Sequence, residues 1–309
     1  MPSANPRSRQ ALPDALSFEA QAPRCAQGDD ETVMAAGNGT PDIEDLARVA
    51  VTAGRAVMKI YAGPFDVEAK PDDSPVTRAD IEAENVIAAG LAEIAPDIPI
   101  VAEEAAAAGE VPEVGERFFL VDPLDGTREF VERNGEFTVN IALIVDGAPV
   151  MGVIHAPASG EIVFADSARG AFAGRVDLDE DDPVIRDIRP IQARSVTDAG
   201  AVALVSRSHC DAQTHEALAR FAPGAVKALG SSLKLCRIAQ GAADLYLRHG
   251  PTMQWDTAAG DAILRAAGGC VVDLAGAPLR YARQVAGVNR DFGNPDFCAF
   301  GDASLKTRL

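Results

Sequence analysis

The segment FFLVDPLDGTREFVERNGEFTVNIALI, residues 118–144, runs as an apolar strand and ends on Asp122 and Asp125, with Pro123 between them and Gly126-Thr127 behind. Charge at the end of a buried strand is costly unless something offsets it. Two carboxylates three residues apart, shaped by a proline and a glycine, can face one point, and the carbonyl of Leu124 can face it too. These are hard oxygen donors, suited to Mg²⁺ or Ca²⁺ rather than to zinc. An EF-hand does not fit, because its third, fifth and sixth positions counted from Asp122 would be Leu124, Gly126 and Thr127. No GxxxxGK[ST] phosphate loop and no G-x-S-x-G nucleophile turn occurs. For the hexapeptide DPLDGT alone, an acidic turn facing water is the competing reading.

Other carboxylates stand where elements end: Glu103-Glu104 after IPIVA, Asp80 at a helix start, and Asp256 at the start of DTAAGDAILRAAGG. A helix N-terminus attracts a carboxylate through its dipole, so Asp80 and Asp256 each have a purely structural explanation as well. Paired glutamates are common on surfaces, so Glu103-Glu104 is a weak signal by itself.

The elements that must position these groups follow from periodicity. Ile43, Leu46, Ala50, Ala53, Val57 and Ile60 recur every three or four residues, which predicts an amphipathic helix capped by Asp42 and ended by Gly63-Pro64. A second helix is predicted over about residues 79–95, with Ile87, Leu91 and Ile94 on one face. IPIVAEE and RFFLVD read as strands. FTVNIALIVDGAPVMGVIHAP reads as a hairpin turning at Asp146-Gly147, and EIVFAD continues the sheet. The first part is therefore helices on a largely antiparallel sheet. The charged stretch DLDEDDPVIRDIRP, residues 177–190, reads as a connection between lobes. Beyond it, strands and helices alternate: AVALVSRS, a helix over about 211–221, VKALG, SLKLCRIAQGAA, DLYLR, the DTAAGD helix, CVVDL and FCAFG. Such alternation predicts a βαβ-rich second lobe.

With 309 residues the chain has room for two lobes or one large α/β domain. A net charge of −18 argues against a nucleic-acid polymer as partner, since no broad basic footprint is available. A small anionic substrate remains compatible, provided that local cations or metal ions meet it. Five cysteines without a CxxC spacing suggest neither a zinc site nor a redox pair, and fit a reducing, cytoplasmic compartment. No apolar run is long enough to cross a bilayer and the N-terminus lacks an apolar signal core, so membrane association is not evident beyond an inner-face contact that the sequence leaves open. Residues 1–40, rich in proline, serine and alanine, read as a disordered extension. The folded part then divides into a lobe at 41–185, carrying most of the candidate metal ligands, and a lobe at 186–309, carrying Asp256 and the substrate pocket.

VDPLDGTREFVERNGEFTVNIALI resembles the signature of the Mg²⁺-dependent, lithium-sensitive phosphatases of the inositol monophosphatase superfamily, and QWDTAAGDAILRAAGG resembles its second signature. With SPVTRADIEAE and VAEE the resemblance covers about residues 42–305. DGTREF…NGEFTVNIAL, SRSH and GSSLKLCRIAQGAADLYLR are most similar to the 3′(2′),5′-bisphosphate nucleotidase branch. The resemblance implies a mixed α+β and α/β fold, a layered α-β-α-β-α sandwich of the sugar-phosphatase type.

It also implies roles. Glu103, Asp122, Asp125 and Asp256 match the metal-binding carboxylates, and Leu124 supplies its carbonyl, for two or three Mg²⁺ ions. Asp80 and Thr127 match the pair that orients the attacking water, and Glu104 lies next to the metals. The substrate pocket would comprise Gly126, Thr127, Ser208, His209, Ser231, Ser232, Lys234 and Arg248. Plainer readings compete at several of these: His209 as a surface histidine, the serines as helix caps, Arg248 as a solvated strand-end charge, and the single Trp255 as core. The activity implied is hydrolysis of the 3′-phosphate of adenosine 3′,5′-bisphosphate, or of its sulfated form PAPS, by a monomer or homodimer in sulfur assimilation. Inositol monophosphate or a related sugar phosphate is the second substrate reading. A metal- or nucleotide-binding module without turnover is the reading from another class, and the presence of both Asp80 and Thr127 argues against it.

Overall fold

The computed structural model describes residues 39–70, 75–180, 182–196 and 200–309. The extension expected over residues 1–40 lies almost wholly outside them. In chain order the elements are α1 (Ile43–Tyr61), β1 (Val67–Ala69), β2 (Pro75–Thr77), α2 (Arg78–Ile94), β3 (Ile100–Ala102), α3 (Glu103–Ala107), β4 (Arg117–Asp125), α4 (Thr127–Val131), β5 (Thr138–Val145), β6 (Ala148–Ala156), β7 (Glu161–Asp166), β8 (Gly170–Val176), β9 (Ile185–Pro190), β10 (Val202–Ser206), α5 (Ala212–Ala219), β11 (Ala225–Leu229), α6 (Leu233–Ala239), β12 (Leu245–Arg248), α7 (Gln254–Ala266), β13 (Cys270–Asp273) and β14 (Phe297–Phe300). A short 3₁₀ turn, Ala303–Arg308, closes the chain.

Asp42 caps α1 by accepting from Glu44 N at 3.0 Å. The helix buries Ile43, Leu46, Ala50, Ala53 and Val57, while Ile60, expected on the same face, is only partly covered. Helix α2 buries Ile87 and Leu91 against α1.

Alternation along the strands then builds the layers. In β4, Phe119 and Val121 face α1 and α2, whereas Phe118 and Leu120 face the opposite side, where Trp255, Ile263 and Leu264 of α7 lie. The seven-stranded sheet runs β3-β4-β5-β6-β7-β8-β9, antiparallel throughout except for the parallel β3–β4 pair. The five-stranded sheet runs β11-β10-β12-β14-β13. Its inner face gives Tyr246, Phe297 and Ala299 to the α6–α7 side, and its outer face packs Leu245, Leu247 and Phe300 with Leu218 of α5 and Phe221. The order across the molecule is thus α1/α2, sheet, α6/α7, sheet, α5, the layered sandwich expected. Gly152 on β6 lets α7 approach closely, since a Cβ there would lie 2.4 Å from the Ala259 carbonyl oxygen.

One expectation is corrected. The connection placed at 177–190 is partly strand: Ile185–Pro190 pairs with β8 as the edge of the seven-stranded sheet. Its charges misled because an edge strand tolerates Arg186, Asp187 and Arg189 towards solvent while Ile185 and Ile188 pack inward. The lobes expected at 41–185 and 186–309 share apolar packing. One core joins Phe118, Leu120 and Ile154 to Leu235, Trp255 and Ile263, because α7 is packed on strands of the first sheet. No helix among the described residues is long and apolar enough to cross a membrane.

Candidate active site

Strand β4 carries Asp122 into the interior and loses register with β5 between Asp122 and Asp125, where Pro123 has no N–H to give the ladder. The freed backbone turns on itself: Leu124 N donates to Asp122 Oδ1 at 3.1 Å. Gly126 follows with φ +92°, and a Cβ there would sit 3.1 Å from the Glu136 carbonyl oxygen, so this turn needs glycine. Thr127 opens α4 and donates from Oγ1 to Asp80 Oδ1 at 3.0 Å; the Leu124 carbonyl oxygen lies 3.3 Å from the same hydroxyl.

Asp80 is the third residue of α2, and its Oδ2 accepts from Thr77 N and Thr77 Oγ1 at 2.7 and 2.8 Å. The capping box and the contact to Thr127 coexist because the two carboxylate oxygens serve different partners. Burial holds the Asp80 carboxyl above its ordinary value in spite of these donors.

Glu103 and Glu104 do not end a strand, as IPIVAEE suggested, but open α3. Glu84 of α2 caps that helix, accepting from Glu104 N and Ala105 N at 2.8 and 2.9 Å. Lys70 Nζ donates to Glu103 Oε1 and to Glu104 Oε1, both at 2.7 Å. Asp256 is the third residue of α7 and accepts from Met253 N at 2.9 Å. The Asp122 and Asp256 carboxyls stand well above the usual range, first through burial and then through neighbouring carboxylates: Glu103, Asp125 and Asp256 act on Asp122, and Asp125 and Glu103 on Asp256. Four acids from β4, α3 and α7 therefore feel one another across a desolvated space.

Among the described residues no three acidic, histidine or cysteine side chains stand in a metal-holding arrangement. Protein donors engage all four acids: backbone N–H groups on Asp122 and Asp256, Lys70 on Glu103, and Ser232 on Asp125 through N at 2.6 Å and through Oγ. The donor set itself, carboxylates and one carbonyl without sulfur or imidazole, is that of a hard cation such as Mg²⁺.

The same cavity, about 930 Å³ in volume, has a cationic part. Lys234 is 5% exposed and Arg248 7%, yet neither meets a carboxylate by hydrogen bond. Lys234 Nζ donates to the Leu229 and Ser231 carbonyl oxygens at 3.3 and 2.5 Å and lies 5.0 Å from the Tyr246 ring centroid. Burial lowers its ammonium to about 8, with Asp125 and Glu129 opposing. Arg248 donates to the His209 and Pro251 carbonyl oxygens at 3.3 and 3.2 Å, and its buried Nε has no partner. A buried cation bonded only to carbonyls retains most of its charge for an anion.

Of the residues expected from sequence, Glu103, Asp122, Leu124, Asp125, Gly126, Thr127, Ser208, His209, Ser231, Ser232, Lys234, Arg248 and Asp256 all line this cavity. Asp80 reaches it through Thr127, and Glu104 lies behind Glu103 on Lys70. Ser232 begins α6 without capping it by its side chain; its hydroxyl bridges Asp125, Asn140 and the Asp256 carbonyl instead. Ser208 donates to Glu129 Oε1 at 2.5 Å, so its proton is committed to that buried carboxylate. Sequence reasoning missed Lys70, Glu84, Glu129, Asn140 and the Arg207–Glu136 pair, at 2.6 and 2.7 Å, which ties the segment after β10 to the segment before β5. The REF…NGE string contains Glu129 and Glu136, but no local pattern says that they meet residues about 70 to 80 positions away.

Residues 42–296 match the model of the inositol monophosphatase family. The chain is 44% identical over 254 residues to a Shigella flexneri protein named 3′(2′),5′-bisphosphate nucleotidase CysQ, covering 81% of this chain and 98% of that one. A protein of the same name from Escherichia coli K12 is 42% identical over 252 residues, with the same coverage. The crystal structure of CysQ from Bacteroides thetaiotaomicron superposes with a TM-score of 0.68 at 36% identity, over 84% of this chain and 96% of that one.

Proposed function

The chain belongs to the inositol monophosphatase family and is a phosphatase, and from that premise we propose that it removes the 3′-phosphate of adenosine 3′,5′-bisphosphate, leaving AMP and phosphate. The observation that carries the substrate is the pairing of two charge environments in one cavity. The acidic part suits a phosphate delivered with Mg²⁺. The buried Lys234 and Arg248, satisfied only by carbonyls, suit a second anionic group without a metal. A substrate with two phosphates uses both parts, whereas a monophosphate would leave two desolvated cations unmatched.

Glu103, Asp122, Asp125, Asp256 and the Leu124 carbonyl would hold the Mg²⁺ ions. When bound, such ions acidify water and offset charge on phosphoryl oxygens. The chain's own groups do the rest. Asp80, pinned by Thr77, takes the Thr127 proton as a hydrogen bond, so the Thr127 lone pairs are free to accept from the attacking water. That hydroxyl orients the water and can hand its proton towards Asp80. Glu104, beside Glu103 on Lys70, would add negative charge behind the carboxylates that would hold the ions. Ser232 fixes the rotamer of Asp125. Cys210, Cys236, Cys270 and Cys298 are thiols rather than disulfides, which suits the cytoplasm as the place of action.

Phosphate release with Mg²⁺ from adenosine 3′,5′-bisphosphate, inositol monophosphate and fructose bisphosphate, with and without Li⁺, tests this reading. The bisphosphate nucleotide is expected to react fastest and to be inhibited by Li⁺. Equal or faster release from the inositol ester would replace the substrate, and no release from any of the three would end the phosphatase reading.

A further inference from the structure

We propose that His249, held in place by Asp296, is a further substrate-binding residue that donates a hydrogen bond from Nε2 to the second anionic group of the bisphosphate. The proposal rests on the substrate reading above. His249 directly follows Arg248 at the end of β12, is 8% exposed, and lines the same cavity as Lys234 and Arg248. Its Nδ1 lies 2.7 Å from Asp296 Oδ2. The other oxygen of Asp296 accepts from Gly250 N at 3.1 Å, so the carboxylate is fixed from two sides and fixes the ring in turn. Asp296 itself does not line the cavity. With Nδ1 engaged by a carboxylate, Nε2 is the ring's remaining polar atom, and in the protonated ring it is a charge-assisted donor.

The contrast with His209 sharpens the assignment. His209, the histidine that the sequence pointed to, is exposed and lines the cavity, and no carboxylate hydrogen-bonds its ring. Desolvation holds it below the ordinary value, and the Arg248 and Arg128 cations push in the same direction. A neutral ring there adds no positive charge to the pocket. His249 has on its Nδ1 an acid from a residue that does not line the cavity. The other groups around it are Gln213 of α5, whose amide is 3.4 Å from Nδ1, Asp211, which caps α5, and Arg248 on its own strand. An Asp–His arm behind a pocket already holding lysine and arginine is a device for placing one more directed donor where an anion sits.

The test uses the full chain with Mg²⁺. KM and kcat of wild type, His249→Ala, His249→Gln and Asp296→Asn are measured on adenosine 3′,5′-bisphosphate and on adenosine 3′-monophosphate, which lacks the second phosphate. In parallel, the ¹⁵N signal of the His249 ring is followed as AMP or adenosine is added without metal. His249→Ala is expected to raise KM for the bisphosphate by about tenfold, the worth of one charge-assisted hydrogen bond. The rise is expected to be several times smaller for the monophosphate. His249→Gln, which keeps volume and a neutral donor, and Asp296→Asn, which keeps an acceptor for Nδ1 without charge, are expected to fall between. The Nε2 signal should move with AMP and not with adenosine.

Equal KM changes on both substrates, or a ring signal indifferent to AMP, would overturn the role of His249. A wild type without preference for the bisphosphate, combined with a ring signal that does respond to AMP, would instead overturn the substrate reading and leave the His249 site standing. If His249→Ala does not fold, His249→Gln and the ring signal of the wild type decide.

Discussion

Thr127 Oγ1 donates to Asp80 Oδ1 at 3.0 Å, joining the first residue of α4 to the third residue of α2 across 47 positions of chain. Asp80 is held by Thr77 on its other oxygen, so the direction of the Thr127 proton is set and its lone pairs are left for a water. Thr127→Ala and Asp80→Asn are therefore expected to lower kcat by roughly 10² to 10⁴, the range for a positioned proton acceptor, with little change in KM. Steady-state kinetics at saturating Mg²⁺ measures this. A Thr127→Ala enzyme with wild-type kcat would refute the water-orienting role.

Asp122 and Asp256 are acids whose folded values lie above their unfolded ones, chiefly through burial. Such a group binds more protons folded than unfolded, so its contribution to stability falls as pH rises from the ordinary carboxylate range up to the folded value. Metal-free protein is expected to lose melting temperature from this source as pH rises from about 5 towards 8. Mg²⁺ should restore more at the upper end, because cation binding needs ionised ligands. Calorimetry at several pH values, with Mg²⁺ and with chelator, reports it; a Mg²⁺ effect that shrinks with rising pH would contradict the assignment.

Asp122→Asn and Asp256→Asn should separate stability from activity. Each removes a desolvated charge that has carboxylate neighbours, so metal-free stability is expected to rise by about 1 kcal/mol or more. Mg²⁺-dependent turnover is expected to drop by roughly 10² or more, since even an indirect partner of a bound metal is worth 10 to 100-fold. A variant that is both less stable without metal and fully active would place that aspartate outside the cation site.

His155 on β6 is fully buried, with Nδ1 3.1 Å from the Ala50 carbonyl oxygen of α1 and Nε2 without a partner. Burial lowers its imidazole to about 4. The sign is opposite to that of the aspartates: the unfolded chain binds the proton first, so this stability is present above the unfolded value and is lost as pH falls through about 6.5 towards 4. The full effect is on the order of 3 kcal/mol. The difference in unfolding free energy between wild type and His155→Asn, followed by urea titration from pH 7 to 4, should shrink with acid, and a pH-independent difference would show that the ring does not stay neutral.

Lys234→Met and Arg248→Met are expected to raise KM for adenosine 3′,5′-bisphosphate by about 10 to 100-fold, the worth of one hydrogen bond to a charged group. On inositol monophosphate the rise should be much smaller. Parallel rises on both substrates would move these cations to the scissile phosphate.

The sequence by itself determined much of this molecule. Short-range signals suffice for α1, with its Asp42 cap, for the hairpin at Asp146-Gly147, and for the turn that Pro123 and Gly126 impose on Asp122 and Asp125, because each depends on neighbours within a few residues. The layered sandwich was expected from the resemblance of two separated motifs to a known family rather than from periodicity, and the proposed metal-ligand set has the same origin. Only the tertiary structure decided that Ile185–Pro190 is an edge strand, since its charges are tolerated by a solvent-facing side that composition cannot reveal. Packing of α7 on the first sheet merged two expected lobes around one core, and packing is a long-range outcome. The same holds at the site. Lys70 on Glu103 and Glu104, Ser232 on Asp125, Glu129 on Ser208 and Asp296 on His249 join residues 33 to 107 positions apart. A carboxylate's partner is whichever donor the fold brings within about 3 Å, and no local pattern encodes that distance.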